Sequence, residues 1–137
     1  MDAQIVRRGE IYYCDCGIHK GSEESGIRPV LIVQNDKGNY YSKTVIVIPL
    51  TSQIKKLYMP THILIYPESS GLKVKSMILA EQVMTVDKSR LLTYVGTIDA
   101  GILNKVDYAL GVSVGLERQV LVRWNRRHYR MNFRKKD

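Results

Sequence analysis

The feature that most constrains the fold is a short apolar run that follows a polar, glycine-bounded segment, at residues 21–36. Residues 30–33 are branched and apolar, and the run is too short for a helix, which predicts a strand buried on both faces. The small polar residues before it predict a mobile loop. Arg28 lies where loop becomes strand, and Pro29 keeps it out of the helical region. A guanidinium placed there can bind a phosphate, or it can simply face solvent at the strand edge.

Length and hydropathy are those of a single globular domain. The chain has 137 residues, of which 45% are hydrophobic, so it can bury a real core. No apolar run approaches the roughly 20 residues needed to span a bilayer. Residues 1–4 do not begin a basic region followed by an apolar one, which predicts the absence of a signal peptide. We therefore expect a cytoplasmic protein without a membrane partner.

The net charge of +8 is concentrated at the C-terminus. Residues 117–137 hold eight basic and two acidic side chains, a net +6, and the remaining 116 residues carry only +2. A cationic segment of this kind favours a polyanion such as nucleic acid, or an acidic protein. A solubilising tail is the alternative interpretation.

The two cysteines, Cys14 and Cys16, lie two residues apart with His19 nearby. On a strand both sulfurs would point to one face, where they are poorly placed to bridge each other. A tetrahedral zinc site usually needs four ligands, and a second ligand pair is missing. The pattern favours two reduced thiols and predicts no metal.

Short strand patterns separated by turn signals fill most of the chain. Strands are predicted at residues 8–14, 45–50, 60–66, 76–80 and 91–95, with turns at 36–39 and 67–71. The period then changes to four residues at Ile98, Ile102, Val106 and Leu110, which predicts one helix capped by Asp99.

This order of elements predicts a small, strongly curved sheet or barrel followed by a helix. The strand ends at Arg28, Thr51 and Gln82 are then expected to meet on one rim.

Several motifs recur in an order that resembles one family, the MazF/PemK toxins of bacterial toxin–antitoxin pairs. The matching pieces are Arg8-Gly9-Glu10-Ile11-Tyr12, Gly21-Ser22-Glu23, Gly26-Ile27-Arg28-Pro29-Val30-Leu31, Gln34-Asn35-Asp36, Thr44-Val45-Ile46-Val47, Thr51-Ser52-Gln53, Pro60-Thr61-His62, Glu81-Gln82 and Asp87-Lys88-Ser89-Arg90-Leu91. They span residues 7–116, most of the chain.

The resemblance implies a mainly β fold with a C-terminal helix, a small SH3-like β-barrel of the CcdB/Kid/MazF type. It implies a toxin domain at residues 1–116, with residues 117–137 as a basic extension that has no transferred role. It also implies a homodimer without a cofactor that cleaves single-stranded RNA independently of metal, and a cognate MazE-like antitoxin with an acidic segment.

The same resemblance implies the site residues. Arg28 and Thr51 match the catalytic arginine and threonine, and Ser22, Glu23, Gln53 and Gln82 match positions around the RNA. Residues 15–20 lack the proline common at that place in the family.

Elementary chemistry agrees with a nuclease of this kind. RNA supplies its own nucleophile, the 2′-hydroxyl, and a guanidinium with a hydroxyl donor can stabilise charge on the phosphoryl oxygens. The general base is left open between Arg28, whose ordinary pKa is too high for a base, and Glu23, which can equally be a solvated carboxylate. His62 is interpreted as structural. Exposed bases could stack on Tyr40, Tyr41 or Tyr58, for which a core or dimer role is the alternative.

Two other functions remain open. A CcdB-like toxin on the same fold would bind DNA gyrase without catalysis, because fold alone does not decide function. A barrel that only binds RNA is the other. The extension also has two readings, since Trp124, Tyr129 and Phe133 could stack on RNA bases while residues 120–124 could instead pack on the barrel.

Overall fold

The structure is a computed structural model that describes residues 5–17, 26–54 and 59–116. Its strands are β1 (Glu10–Asp15), β2 (Ile27–Ile32), β3 (Thr44–Thr51), β4 (His62–Ile65), β5 (Ser76–Leu79), β6 (Met84–Asp87) and β7 (Leu91–Thr97). Helix α1 (Asp36–Tyr41) connects β2 to β3, and helix α2 (Ala100–Ser113) follows β7. Single turns of 3₁₀-helix occur at Pro67–Ser69, Ala80–Gln82 and Lys88–Arg90.

All seven strands join one antiparallel sheet in the order β4-β5-β3-β2-β1-β7. The longest strand, β3, pairs through its N-terminal half with β6 and through its C-terminal end with β5. Register shifts interrupt the pairing of β1 with β7. Since irregularities of this kind bend a strand, the sheet curves in a barrel-like manner without closing within the described residues.

The strand at the centre of the predicted fold is confirmed. Val30, Leu31 and Ile32 are fully buried. Leu31 packs in a core cluster with α2, whereas Val30 and Ile32 pack in a second cluster with β1 and β6. The strand is therefore covered on both faces, as its unbroken apolar run indicated.

The C-terminal helix is also confirmed. Asp99 caps α2 by accepting a hydrogen bond from the backbone N–H of Ile102 at 2.8 Å. Val106 and Ala109 turn inward to the core cluster that contains Leu31. Arg8 ties the helix to the start of β1 through an ion pair with Asp107.

The predicted turn at residues 36–39 is wrong, because this segment begins α1. Asn35 caps the helix through its Oδ1, which accepts from the backbone N–H of Gly38 at 2.8 Å. Asn39 is 1% exposed and exchanges hydrogen bonds with Gln34. These tertiary contacts outweigh the poor helix propensity of glycine and asparagine.

The sequence patterns also missed β6, which pairs with residues 44–47 of β3. The other predicted strands and the cap at Asp99 are confirmed within two residues or so of their expected ends. Residues 117–137 lie outside the described residues, so the division into a domain and a basic extension stays a prediction.

A candidate active site at the ends of two neighbouring strands

Arg28 is the second residue of β2 and lies opposite Cys14 of β1. Its side chain is half-buried, and Nη1 donates to the carbonyl oxygen of Leu50 in β3 at 3.4 Å. Pro29 follows directly and is itself paired with Tyr13. The guanidinium is therefore held towards the C-terminal end of β3.

Thr51 is the last residue of β3 and is also half-buried. The register of β2 with β3 pairs Val30 with Pro49, and extending it by two residues puts Arg28 opposite Thr51. On its other side Thr51 pairs with Met77 of β5. Side chains directly opposite each other in an antiparallel pair lie on the same face of the sheet. The fold thus brings together the two residues that were predicted to be catalytic.

The local geometry of Thr51 leaves its hydroxyl proton for a substrate. Its Oγ1 accepts a hydrogen bond from the backbone N–H of Gln53 at 3.1 Å. A hydroxyl has two acceptor lone pairs and one O–H donor. With one lone pair taken by the turn, the hydroxyl can donate to a phosphoryl oxygen beside the Arg28 guanidinium.

The remaining predicted site residues are distributed differently. Gln53 is exposed and lies two residues beyond Thr51, so it borders the same strand end. Gln82 ends the 3₁₀ turn between β5 and β6, whose flanking residues pair with Pro49-side and Val47-side positions of β3. It therefore lies further back along β3, and the expected single rim holds Arg28, Thr51 and Gln53 without it. Ser22 and Glu23 lie outside the described residues.

The sequence patterns did not reveal a polar cluster next to Gln82. Glu81 accepts from Thr61 Oγ1 at 3.0 Å and contacts His62 Nε2 at 2.9 Å. The other ring nitrogen, Nδ1, is buried and has no hydrogen-bond partner in the structure as described. These contacts tie β4 to the turn that carries Gln82, which agrees with the structural interpretation of His62. The matched motifs around Thr61 and Glu81 were the available signal, although their contact depends on strand pairing.

The two cysteines are buried and unbridged behind Arg28. The hydrogen bond with Cys16, together with burial, raises the pKa of the Cys14 thiol far above its ordinary value. The thiolate is the nucleophilic form of cysteine, so Cys14 is unsuited to nucleophilic chemistry despite its position opposite Arg28.

Known proteins share this sequence and fold. Residues 7–114 match the family model described as PemK-like, MazF-like toxin of type II toxin–antitoxin system. Endoribonuclease EndoA of Bacillus subtilis (strain 168) is 45% identical over 112 residues, which cover 82% of this chain and 97% of EndoA. The chain therefore belongs to the PemK-like, MazF-like toxin family of type II toxin–antitoxin systems.

Solved structures agree with this assignment. An endoribonuclease in complex with its cognate antitoxin from Mycobacterial species is 28% identical, with a TM-score of 0.68 over 82% of this chain and 97% of that chain. MazF from Deinococcus radiodurans has a TM-score of 0.71 at 23% identity, over 83% of this chain and all of that chain. The predicted fold class, family and kind of enzyme are confirmed. Neither helix in the described part of the chain has the length and apolar character to cross a membrane.

Proposed function

We propose that this toxin is an endoribonuclease that cleaves single-stranded RNA at a short sequence motif without a metal ion, and that Arg28 and Thr51 are its catalytic residues. The observation that carries the proposal is the strand register that sets Arg28 opposite Thr51. The relative named endoribonuclease EndoA, at 45% identity, supports the reaction class.

The reaction is an attack of the ribose 2′-hydroxyl on the adjacent phosphorus. A bond forms between the 2′-oxygen and phosphorus, and the bond from phosphorus to the 5′-oxygen of the next nucleotide breaks. The 2′-hydroxyl loses its proton to a base and the leaving 5′-oxygen gains one, so the products are a 2′,3′-cyclic phosphate and a 5′-hydroxyl. Because the nucleophile belongs to the substrate, no metal-bound water is required.

Arg28 and Thr51 act on the charge that develops in this reaction. Negative charge grows on the non-bridging phosphoryl oxygens in the five-coordinate transition state, and a planar guanidinium presents paired N–H donors to two such oxygens. The Thr51 hydroxyl adds a neutral donor from the neighbouring strand. Donors fixed by β2 and β3 before the substrate arrives need little reorganisation during the reaction. Glu23, in the segment before β2, remains a proposed base.

A single-stranded substrate fits the positions of the proposed RNA-binding residues. Gln53 lies beside Thr51, whereas Gln82 lies further back along β3. An extended RNA strand can contact both with different nucleotides, and its bases are accessible for reading only when they are unpaired. Ser22 and Glu23 are proposed to contact the RNA from the chain segment that precedes Arg28.

We further propose a homodimer that is inhibited by a cognate antitoxin with an acidic segment. The net charge of +8 favours an anionic partner that competes with RNA, and the related Mycobacterial endoribonuclease was solved with its cognate antitoxin. A substrate of cellular RNA places the toxin in the cytoplasm. We propose the basic extension, residues 117–137, as an additional RNA contact, with packing on the toxin domain of residues 1–116 as the alternative.

The experiment is incubation of the purified protein with a long RNA, with and without EDTA, followed by identification of the product ends. We expect cleavage at a short motif in both conditions, with cyclic phosphate and 5′-hydroxyl ends. Cleavage that stops with EDTA and returns with magnesium would contradict the metal-independent mechanism. Intact RNA together with inhibition of DNA gyrase would favour the CcdB-like alternative, which the endoribonuclease relatives do not support.

A further inference from the structure

A cavity of about 260 Å³ opens directly beside Arg28. We propose that it receives one base of the RNA, from a nucleotide next to the cleaved phosphate, and so sets one position of the cleavage motif. The inference rests on the proposed function. The cavity is bounded by Tyr13, Arg28, Leu50, Leu72, Lys73 and Val74.

The size and lining of the cavity suit a flat heterocyclic ring. Cavities for drug-sized ligands usually measure about 300–1,000 Å³, so a slightly smaller one suits a single base. Leu50 and Leu72 belong to the core cluster and give the cavity an apolar bottom. Tyr13 adds an aromatic ring, which can stack on any base.

The rim of the cavity provides the polar part of the recognition. Lys73 is exposed and Arg28 is half-buried, so both cations border the opening. Ammonium and guanidinium groups donate to the oxygen and nitrogen acceptors on base edges, and they also attract the neighbouring phosphates. Because Arg28 borders both the cavity and Thr51, a phosphate bound there leaves an adjoining base within reach of the opening.

The wall formed by residues 72–74 is fixed before any RNA arrives. Gly71 has a φ of +79°, and a Cβ at Gly71 or Gly96 would collide with the backbone of the other segment. This close approach anchors the wall to β7. The Leu72 N–H donates to Ser70 Oγ at 3.2 Å, and Ser76 Oγ donates to the Val74 carbonyl at 3.1 Å. A preformed cavity loses little entropy on binding, which favours selection of one base.

The test combines a cavity-filling variant with abasic RNA. In Val74→Trp an indole replaces a side chain that is 55% exposed at the cavity, so the fold should tolerate it. The matched control is Leu92→Trp, at a side chain that is 47% exposed on β7 and does not border the cavity. Cleavage is measured on RNAs with one abasic nucleotide at each position of the motif.

We expect one position flanking the cut where base removal slows the wild-type and Leu92→Trp proteins about tenfold or more. The same removal should have little effect on Val74→Trp, whose indole already fills the cavity, and this variant should lose its base preference at that position only. Such coupling between variant and substrate isolates the contact. Should Val74→Trp be inactive, Lys73→Ala provides the same comparison, with a weaker base preference expected at that position.

Equal abasic penalties in all variants, with an unchanged cleavage motif, would overturn the inference while the proposed function stands. A Val74→Trp protein that keeps the motif but loses affinity for the antitoxin would overturn it too, since the cavity would then hold a peptide side chain. A wild-type protein that does not cleave RNA would instead refute the proposed function.

Discussion

The two ends of β3 use their polar residues differently. At the Thr44 end, Gln34 Nε2 donates to the Thr44 carbonyl at 3.0 Å and to Asn39 Oδ1 at 3.2 Å, and Asn39 is buried. At the Thr51 end, Arg28 and Thr51 are half-buried, and Arg28 borders an open cavity. The first end completes its hydrogen bonds within the protein, whereas the second presents donors where a substrate can bind. The comparison assigns stability to one end and chemistry to the other.

The largest expected effect is on catalysis at the Thr51 end. Arg28→Ala and Thr51→Ala should each slow RNA cleavage about 10²- to 10³-fold, because each removes one donor to the transition state. Arg28→Lys should restore little, since an ammonium lacks the paired N–H geometry, whereas Thr51→Ser keeps the hydroxyl and should retain most activity. Single-turnover rates give the measurement. Thermal unfolding is the control, and an Ala variant that is folded and fully active would break the comparison.

The next effect is on stability at the Thr44 end. Asn39→Ala should lower the free energy of unfolding by about 1–3 kcal/mol, because it removes the partner of buried polar groups on Gln34. Urea unfolding measures the loss, and Lys37→Ala, at an exposed position of the same helix, is the matched control. The cleavage rate of folded Asn39→Ala should stay close to the wild-type rate. A loss of rate without a loss of stability would show that this end also serves the chemistry.

The smallest effect is a pH dependence, also at the Thr44 end, where Asp87 pairs with Thr44. The backbone N–H of Ser89 donates to Asp87 Oδ1 at 2.9 Å and lowers the pKa of this carboxyl. A lowered pKa stabilises the folded state above the ordinary pKa of aspartate, and this contribution is lost as the pH falls through the lowered value. The urea midpoint of the wild type should therefore slightly exceed that of Asp87→Asn at pH 7, and the difference should shrink on acidification. A difference that grows in acid would have the wrong sign.

Local patterns predicted the elements whose signals are contained in a few consecutive residues. The apolar run at residues 30–33 and the cap at Asp99 are of this kind, and both agree with the structure. Helix α1 was missed because its stability comes from Asn39 and Gln34, which contact each other only in the folded chain. Glycine and asparagine in that segment indicated a turn instead.

The candidate site shows the same limit. The resemblance selected Arg28 and Thr51 individually, but their neighbourhood depends on the register of β2 with β3, which no local pattern encodes. The displacement of Gln82 from this pair follows from the pairing of β3 with both β5 and β6. The cavity next to Arg28 combines residues from four separate segments, so the sequence carried no signal for it.

The most direct test of the central claim compares two oligoribonucleotides that differ by one oxygen atom. Both contain the cleavage motif, and one carries a 2′-deoxyribose on the 5′ side of the cut. If the Arg28–Thr51 end catalyses attack by the substrate's own 2′-hydroxyl, the unmodified RNA is cleaved, and the deoxy analogue stays intact while it competes for binding with similar affinity. Cleavage of the deoxy analogue at the same bond would show that water is the nucleophile and would contradict the mechanism.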